Sequence, residues 1–196
     1  MSTTLILASQ SPRRKELLTQ LGYNFICQPA DIDESILENE SAKQYVARLA
    51  LEKAAVVAKR QENTDSVVLG SDTSVVFQEK ILGKPTCLDD CIAILSMLSD
   101  NSHKVMTAIA VAKGHHSDVV VVTTEVTFKK LSEAEIIRYW HTGEPQDKAG
   151  AYGIQGIAGQ FVKQIHGSYS AVVGLPLYET AQLLSSFGVN SAITQD

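Results

Sequence analysis

The sequence lacks long hydrophobic runs. No stretch approaches the ~20 apolar residues that a membrane-spanning helix needs. The apolar run Leu5–Ala8 is far shorter than the hydrophobic segment of a secretory signal, and charged residues follow it instead of preceding it. We therefore expect a cytoplasmic protein with no membrane partner.

Cysteine is scarce as well. The chain has Cys27, Cys87 and Cys91. Cys87 and Cys91 could share one helix face, but no His or further Cys lies nearby with the spacing of a zinc site. We expect these residues to be small buried or half-buried thiols in a reducing compartment.

The signature motifs of several enzyme classes are also missing. The sequence contains no Walker A loop, no dinucleotide-binding glycine fingerprint, no Gly-x-Ser-x-Gly elbow and no Cys–His nucleophile motif. Positive charge is not in excess either, because 17 Lys and Arg against 22 Asp and Glu give a formal net charge of −5. This balance argues against a general nucleic-acid-binding protein.

What the sequence does have is an alternation of short strand-like runs and longer helical patterns. With 44% hydrophobic and 20% charged residues, it predicts one mixed α/β domain, two-lobed, that spans 1–196. Ser11, Ser41 and Ser132 are predicted helix N-caps. Strands are predicted at 5–8, 25–28, 66–70, 74–78, 105–113, 118–128, 161–165 and 170–174, and helices at 13–21, 42–61, 89–98, 133–142 and 176–187.

A basic cluster follows the first predicted strand. Arg13, Arg14 and Lys15 lie in the first turn of the next helix, where the helix dipole normally favours acidic side chains. Their presence costs stability unless an anion binds there, held by backbone N–H groups, the hydroxyl of Ser9 and the guanidinium groups. The cluster is therefore either a phosphate site or a solvated basic helix end.

Lys53 and Asp72 are polar residues in apolar surroundings. Lys53 shares the apolar stripe of the long second helix, where it either extends past the core edge to water or reaches into an anion pocket. Asp72 lies between two strand-like runs, at the predicted end of a strand. It is either a turn-forming residue or a metal ligand and general base. The acidic loop with Glu34 is either solvated or supplies a second metal-binding oxygen.

Two further segments contain residues suited to a nucleotide. Lys84 lies in a predicted turn at 83–85, and Lys148 and Gln155 lie in a glycine-rich loop at 147–156. Glycines allow a close backbone approach to a ligand, Lys148 can pair with phosphate, and Gln155 offers a donor and an acceptor to a base edge.

Taken in order, these segments resemble the Maf family of nucleoside triphosphate pyrophosphatases. The resemblance covers 5–184 and rests on seven motifs, namely LASQSPRRKELL at 7–18, DIDES at 31–35, ARLALEKA at 47–54, GSDTSVVF at 70–77, GKP at 83–85, DKAGAYGIQG at 147–156 and GSYSAVVGLPL at 167–177. It implies a mixed β-sheet with flanking helices, related to the inosine triphosphate pyrophosphatases. It also implies a divalent metal, Mg²⁺ or Mn²⁺, and a homodimer.

The resemblance also implies roles for individual residues. Asp72 matches the catalytic acid and, with Glu34, the metal-linked carboxylates. Arg13, Thr73 and Gln155 match the specificity triplet of the branch that hydrolyses dTTP and UTP to the monophosphate and pyrophosphate. The polar and basic phosphate pocket is matched by Ser9, Arg13, Arg14, Lys53, Lys84 and Lys148. The alternatives are a 7-methyl-GTP pyrophosphatase, whose branch differs at the triplet, and a non-enzymatic regulator of septum formation.

Overall fold

The computed structural model describes residues 3–61 and 65–193. The strands are β1 (Leu5–Leu7), β2 (Phe25–Cys27), β3 (Val67–Phe77), β4 (Lys80–Leu82), β5 (Ser102–Lys113), β6 (His116–Phe128) and β7 (Val162–His166). The helices are α1 (Pro12–Gln20), α2 (Ala42–Lys59), α3 (Leu88–Leu98), α4 (Glu133–Trp140), α5 (Tyr169–Val173) and α6 (Leu177–Ser186). Three 3₁₀ turns cover Glu144–Asp147, Ala149–Ala151 and Ile157–Phe161.

The seven strands form one mixed sheet in the order β2-β1-β3-β5-β6-β7, with β4 paired to β3. Strand β1 runs parallel to both β2 and β3. Strands β4 and β7 run antiparallel to β3 and β6, respectively. The mixed sheet with flanking helices confirms the predicted fold class.

The chain clusters into two compact units. The first unit comprises the described residues of Met1–Asp72, Thr107–Val122 and Gly174–Asp196, and the second comprises Thr73–Met106 and Thr123–Val173. The assignment of 1–196 to one domain stays a prediction.

The helix starts of both units follow from local sequence. In the first unit, the Ser11 hydroxyl accepts a hydrogen bond from the Arg14 N–H, and Ser41 forms a capping box with Gln44. In the second unit, Ser132 forms a capping box with Glu135 at the start of α4. Each cap satisfies N–H groups that have no partner inside the helix. The three predicted N-caps are confirmed.

Strand β3 corrects one expectation. The sequence predicted two strands with a polar turn between them and Asp72 at a strand end, but β3 continues from Val67 to Phe77 with Asp72 in its middle. The polar residues do not break the strand because the charge of Asp72 is matched by a lysine and the Ser71 hydroxyl donates to the Gly174 carbonyl. The short strand β4 was not predicted.

The predicted strand at 170–174 is also wrong. Residues Tyr169–Val173 form the short helix α5. The two valines favour a strand by propensity, but the hydroxyl of Ser168 accepts a hydrogen bond from the Ala171 N–H and acts as a helix cap.

The cysteines differ in exposure. Cys91 is buried in the core of the second unit, as expected, whereas Cys27 and Cys87 are exposed. Cys27 lies on the edge strand β2, and Cys87 lies at the start of α3, where its side chain is outside the core.

Candidate active site

The first unit brings helix α2 unusually close to strand β3. A Cβ atom at Gly70 would lie 2.2 Å from the Ala50 carbonyl oxygen and 2.8 Å from the Ala54 nitrogen. Only glycine fits at this crossing. Asp72 lies two residues further along the strand and therefore on the same face as Gly70. The glycine thus places Lys53, the residue before Ala54, next to Asp72.

Lys53 forms the centre of a charged cluster. Its Nζ lies 2.8 Å from Asp72 Oδ1 and 2.7 Å from Glu34 Oε1. Lys53 and Asp72 are each 8% exposed, whereas the Glu34 side chain is 54% exposed. The ammonium group therefore lies inside the cluster. This excludes the alternative in which the Lys53 side chain extends past the core edge to water. A buried charge is tolerated when it is paired and hydrogen-bonded, as both are here.

The same cluster fits a hard divalent cation. Both carboxylates approach the same nitrogen atom, and carboxylate oxygens are the ligands that a hard divalent cation prefers. Within residues 3–61 and 65–193, no group of three or more His, Cys, Asp or Glu side chains is arranged to hold a metal. Mg²⁺ is commonly bound by one or two carboxylates together with substrate phosphates. The donor set therefore suits a metal that arrives with a nucleotide.

Arg48, which the sequence did not single out, holds the loop that carries Glu34. Its Nε and Nη2 atoms donate to the Glu40 carboxylate at 2.6 and 2.8 Å, and Nη2 donates to the Ser35 carbonyl at 2.9 Å. The hydrogen bonds to Glu40 raise the pKa of Arg48 above its ordinary value. Tyr45 donates to the Glu34 carbonyl at 2.8 Å. Tyr45 and Arg48 lie about one helical turn apart and therefore on the same face of α2. This spacing is the feature of the sequence that could have indicated their shared role in holding the loop.

The basic start of α1 lies in the first unit too. Arg14 Nε donates to the Gly174 carbonyl at 2.9 Å, and its Nη1 donates to the Ser9 hydroxyl at 3.4 Å. Burial lowers the pKa of Arg14, while Asp72 acts in the opposite direction. Arg13, half-buried in the same turn, also lowers the pKa of Arg14 by repulsion. The structure thus places two adjacent cations at a helix start, an arrangement that an anion would stabilise.

The second unit contains the remaining predicted site residues. Lys148 Nζ donates to the Glu144 carbonyl at 2.7 Å and to Asp147 Oδ1 at 2.6 Å. Lys84 and Gln155 are exposed, and Thr73 is half-buried in β3. The Gly150 N–H donates to the Gly83 carbonyl at 3.0 Å, which joins the segment at 83–85 to the glycine-rich loop. The carboxylate of Glu144, a residue absent from the predicted set, contacts the segment after Gln155.

Buried titratable groups in the second unit are neutral. His103 is 3% exposed, and burial lowers its pKa to about 4. Its Nε2 lies 2.8 Å from the hydroxyl of Tyr152, whose pKa is raised by burial. His103 Nδ1 has no hydrogen-bond partner among the described residues. The second unit therefore contrasts with the charged cluster of the first.

Comparison with known proteins identifies close relatives. Residues 4–187 match a family model described as Maf-like protein. A Colwellia psychrerythraea protein named dTTP/UTP pyrophosphatase is 62% identical over 98% of this chain and 92% of the relative. Proteins of the same name from Hahella chejuensis and Vibrio vulnificus are 53% and 55% identical, over 94% and 93% of this chain and 92% and 98% of the relatives.

Solved structures of other proteins also align with the chain. One of them is described as a nucleoside-triphosphatase / dITP/XTP pyrophosphatase from Mycobacterium abscessus, with 14% identity and a TM-score of 0.44 over 64% of this chain and 74% of that chain. A structural similarity this low does not establish a relation between the two proteins. The relation to inosine triphosphate pyrophosphatases therefore stays a prediction.

Proposed function

Because the chain belongs to the Maf family, we propose that it is a hydrolase that converts dTTP and UTP to the monophosphate and pyrophosphate. The relatives that are named for this activity align over more than nine-tenths of both chains. The observation that carries the proposal is the cluster of Lys53, Asp72 and Glu34, because a paired cation and two carboxylates at one point suit a metal-bound triphosphate.

Asp72 would act as the general base. Its carboxylate would orient a water molecule toward the α-phosphorus and accept its proton, without a covalent intermediate. Glu34 and Asp72 would hold Mg²⁺ or Mn²⁺, which when bound lowers the pKa of water and neutralises charge on the phosphates. Arg13, Arg14 and Ser9 would contact the phosphates from the start of α1.

Lys53 would bind phosphate without giving up its carboxylate partners. A lysine ammonium has three N–H donors, and the contacts with Glu34 and Asp72 account for two of them. A phosphate oxygen can accept the third. Lys53 would then stabilise the charge that develops on the leaving pyrophosphate. Lys84 and Lys148 would supply further charge to the triphosphate.

Base choice would depend on Gln155, Thr73 and Arg13. Uracil and thymine present an acceptor, O4, beside a donor, N3–H, and a glutamine side chain carries the complementary pair. Cytosine reverses that pattern, and a mispaired buried polar group costs ~1–3 kcal/mol. The reported relatives are named for dTTP and UTP, which favours this branch over 7-methyl-GTP and over a non-enzymatic septum regulator.

The proposal includes the location, the oligomeric state and the partners of the protein. We expect a cytoplasmic homodimer that binds neither nucleic acid nor membrane. The net charge of −5 supports the absence of a general nucleic-acid partner. Among the helices of the described residues, none combines the length and hydropathy that a bilayer crossing requires.

A nucleotide panel tests the function. The wild-type protein is assayed with dTTP, UTP, CTP, GTP and 7-methyl-GTP in Mg²⁺ or Mn²⁺, and the release of pyrophosphate and of phosphate is scored separately. We expect pyrophosphate from dTTP and UTP, with little phosphate. Phosphate as the main product would contradict α–β cleavage, and a preference for 7-methyl-GTP would contradict the substrate assignment.

A further inference from the structure

Glu144 connects two segments of the second unit that contain predicted substrate-binding residues. Its Oε2 accepts a hydrogen bond from the Ile157 N–H at 2.8 Å. Its Oε1 accepts hydrogen bonds from the Ala158 N–H at 3.3 Å and from the Tyr139 hydroxyl at 2.8 Å. Burial and the Glu144 carboxylate raise the pKa of Tyr139, so this hydroxyl keeps its proton and remains a donor.

The carboxylate acts as a cap supplied from elsewhere in the chain. The 3₁₀ turn Ile157–Phe161 begins with backbone N–H groups that lack partners inside the turn. The preceding residue, Gly156, has no side chain to cap them. Glu144 satisfies two of these groups with a negative charge, which is the favourable sign at this end of a helical turn.

Gly156 fits this arrangement closely. A Cβ atom at this position would lie 2.3 Å from Glu144 Oε2, so any larger residue would push the carboxylate away. The Gly156 N–H donates to the Gly153 carbonyl at 3.1 Å. Gln155 therefore lies in a short segment that is held at two places. The hydrogen bond between Gly156 and Gly153 closes it, and the Glu144 carboxylate caps the residue that follows Gly156.

The backbone of Glu144 reaches the second segment. Its carbonyl accepts a hydrogen bond from Lys148 Nζ at 2.7 Å. The aliphatic part of Lys148 passes close to Gly153, where a Cβ atom would lie 2.8 Å from Cε. One residue thus contacts both the lysine expected to bind phosphate and the segment that presents the glutamine expected to read the base.

We propose that Glu144 is a positioning residue that sets base selectivity by fixing the orientation of Gln155. This role rests on the proposed function, because it requires Gln155 to contact the base. A carboxylate is needed because it only accepts hydrogen bonds, and all three of its partners are donors. A glutamine at 144 would direct an NH₂ group toward at least one of these donors and would loosen the turn.

The test compares selectivity rather than rate. The ratio of kcat/KM for UTP to that for CTP is measured in the wild type, in Glu144→Gln and in Glu135→Gln. Glu135 is a matched control because its carboxylate caps α4 in the same unit by accepting from the Ser132 N–H. We expect the ratio to fall roughly tenfold in Glu144→Gln, the size of effect that one mispaired polar contact gives, and to stay unchanged in Glu135→Gln.

The double variant Glu144→Gln/Gln155→Ala shows whether Glu144 acts through Gln155. If it does, the double variant has the same ratio as Gln155→Ala alone. Tyr139→Phe, which removes one donor to the carboxylate, provides a milder test that does not depend on Glu144→Gln folding. It should shift the ratio in the same direction by a smaller amount.

The two hypotheses fail in different ways. If the wild type does not prefer UTP over CTP, the proposed function is wrong and the role of Glu144 falls with it. If the wild type has the preference and both Glu144→Gln and Tyr139→Phe keep it, the positioning role alone is wrong. In that case a loss of rate and thermal stability without a change in ratio would mean that Glu144 only supports the fold.

Discussion

The two units differ in the charge of their buried polar side chains. In the first, Lys53 and Asp72 are both buried and both charged, and each is stabilised by the other. In the second, the environment lowers the pKa of His103 and raises that of Tyr152, so these groups are uncharged at neutral pH. The Glu144 carboxylate is held by neutral donors.

Because of this difference in charge, substitutions in the two units should have different effects on the enzyme. Removing one charge from the first cluster leaves its partner uncompensated and changes the field at the site. Removing a group from the second unit leaves a hydrogen bond unmade, which has a smaller effect on charge. We therefore expect variants of the first cluster to affect triphosphate binding and the chemical step, and variants of the second unit to affect selectivity and stability.

The largest expected effect is that of Asp72→Asn. The change keeps the size of the side chain but removes the proton acceptor, so kcat for dTTP should fall by ~10²–10⁴. Asp118→Asn, at an exposed position of β6, is the control and should behave like the wild type. If Asp72→Asn keeps a kcat within a few-fold of the wild type, Asp72 is not the base.

A pH series tests whether the second unit keeps its buried histidine neutral. Burial lowers the pKa of His103 from 6.5 to about 4. The unfolded chain therefore takes up the proton first, and its uptake destabilises the fold as pH falls from 6.5 to about 4. Integrated over that window, the loss is ~3 kcal/mol. Unfolding in urea at several pH values should show this loss in the wild type and in His141→Gln, whose histidine is exposed.

His103→Gln should lose this component of the pH dependence. The quantity to compare is the difference in the free energy of unfolding between the wild type and His103→Gln at each pH. Carboxylates contribute to the pH dependence of both proteins. Parallel pH curves for the wild type and His103→Gln would contradict a buried neutral histidine.

Gly70→Ala tests the scaffold under the charged cluster. The added methyl group would collide with the backbone of α2, so the helix must move away from β3. We expect the free energy of unfolding to fall by ~1–3 kcal/mol and activity to fall as Lys53 and Asp72 separate. Gly83→Ala is the control, because a Cβ atom there meets no described atom within 4 Å. Equal urea midpoints for the two variants would contradict the close crossing.

The smallest effect among these is expected for Arg48→Lys. A lysine keeps the charge but cannot donate at once to Glu40 and to the Ser35 carbonyl with the geometry of a guanidinium group. Looser support for Glu34 should raise the Mg²⁺ concentration for half-maximal rate on the order of tenfold, with kcat at saturating Mg²⁺ little changed. Arg60→Lys, at the other end of α2, should leave the Mg²⁺ dependence unaltered, and the same curve for both variants would argue against Arg48 as a support.

Local features were predictable from the sequence, and contacts between distant segments were not. The caps at Ser11, Ser41 and Ser132 depend on residues three positions away, so they can be read directly. The position of Lys53 depends on Gly70, and the helix α5 depends on Ser168, whose own N–H is bonded to Thr124.

The site shows the same division. The candidates Lys53, Asp72 and Glu34 were found because their residue types fit the chemistry, and the motif resemblance supplied their roles. Glu144 was missed because its importance comes from the Ile157 and Ala158 N–H groups, which lie 13 and 14 residues further along the chain.

The most direct measurement compares the nucleotide affinity of Lys53→Met with that of the wild type. Binding of a non-hydrolysable α,β-imido analogue of UTP is measured by calorimetry at fixed Mg²⁺, with Lys59→Met, exposed on the same helix, as control. If the Lys53 ammonium binds phosphate, its loss removes a charge-assisted hydrogen bond and should weaken binding roughly tenfold or more, while Lys59→Met binds like the wild type. Equal affinity in all three proteins would contradict a role for the charged cluster in binding the triphosphate.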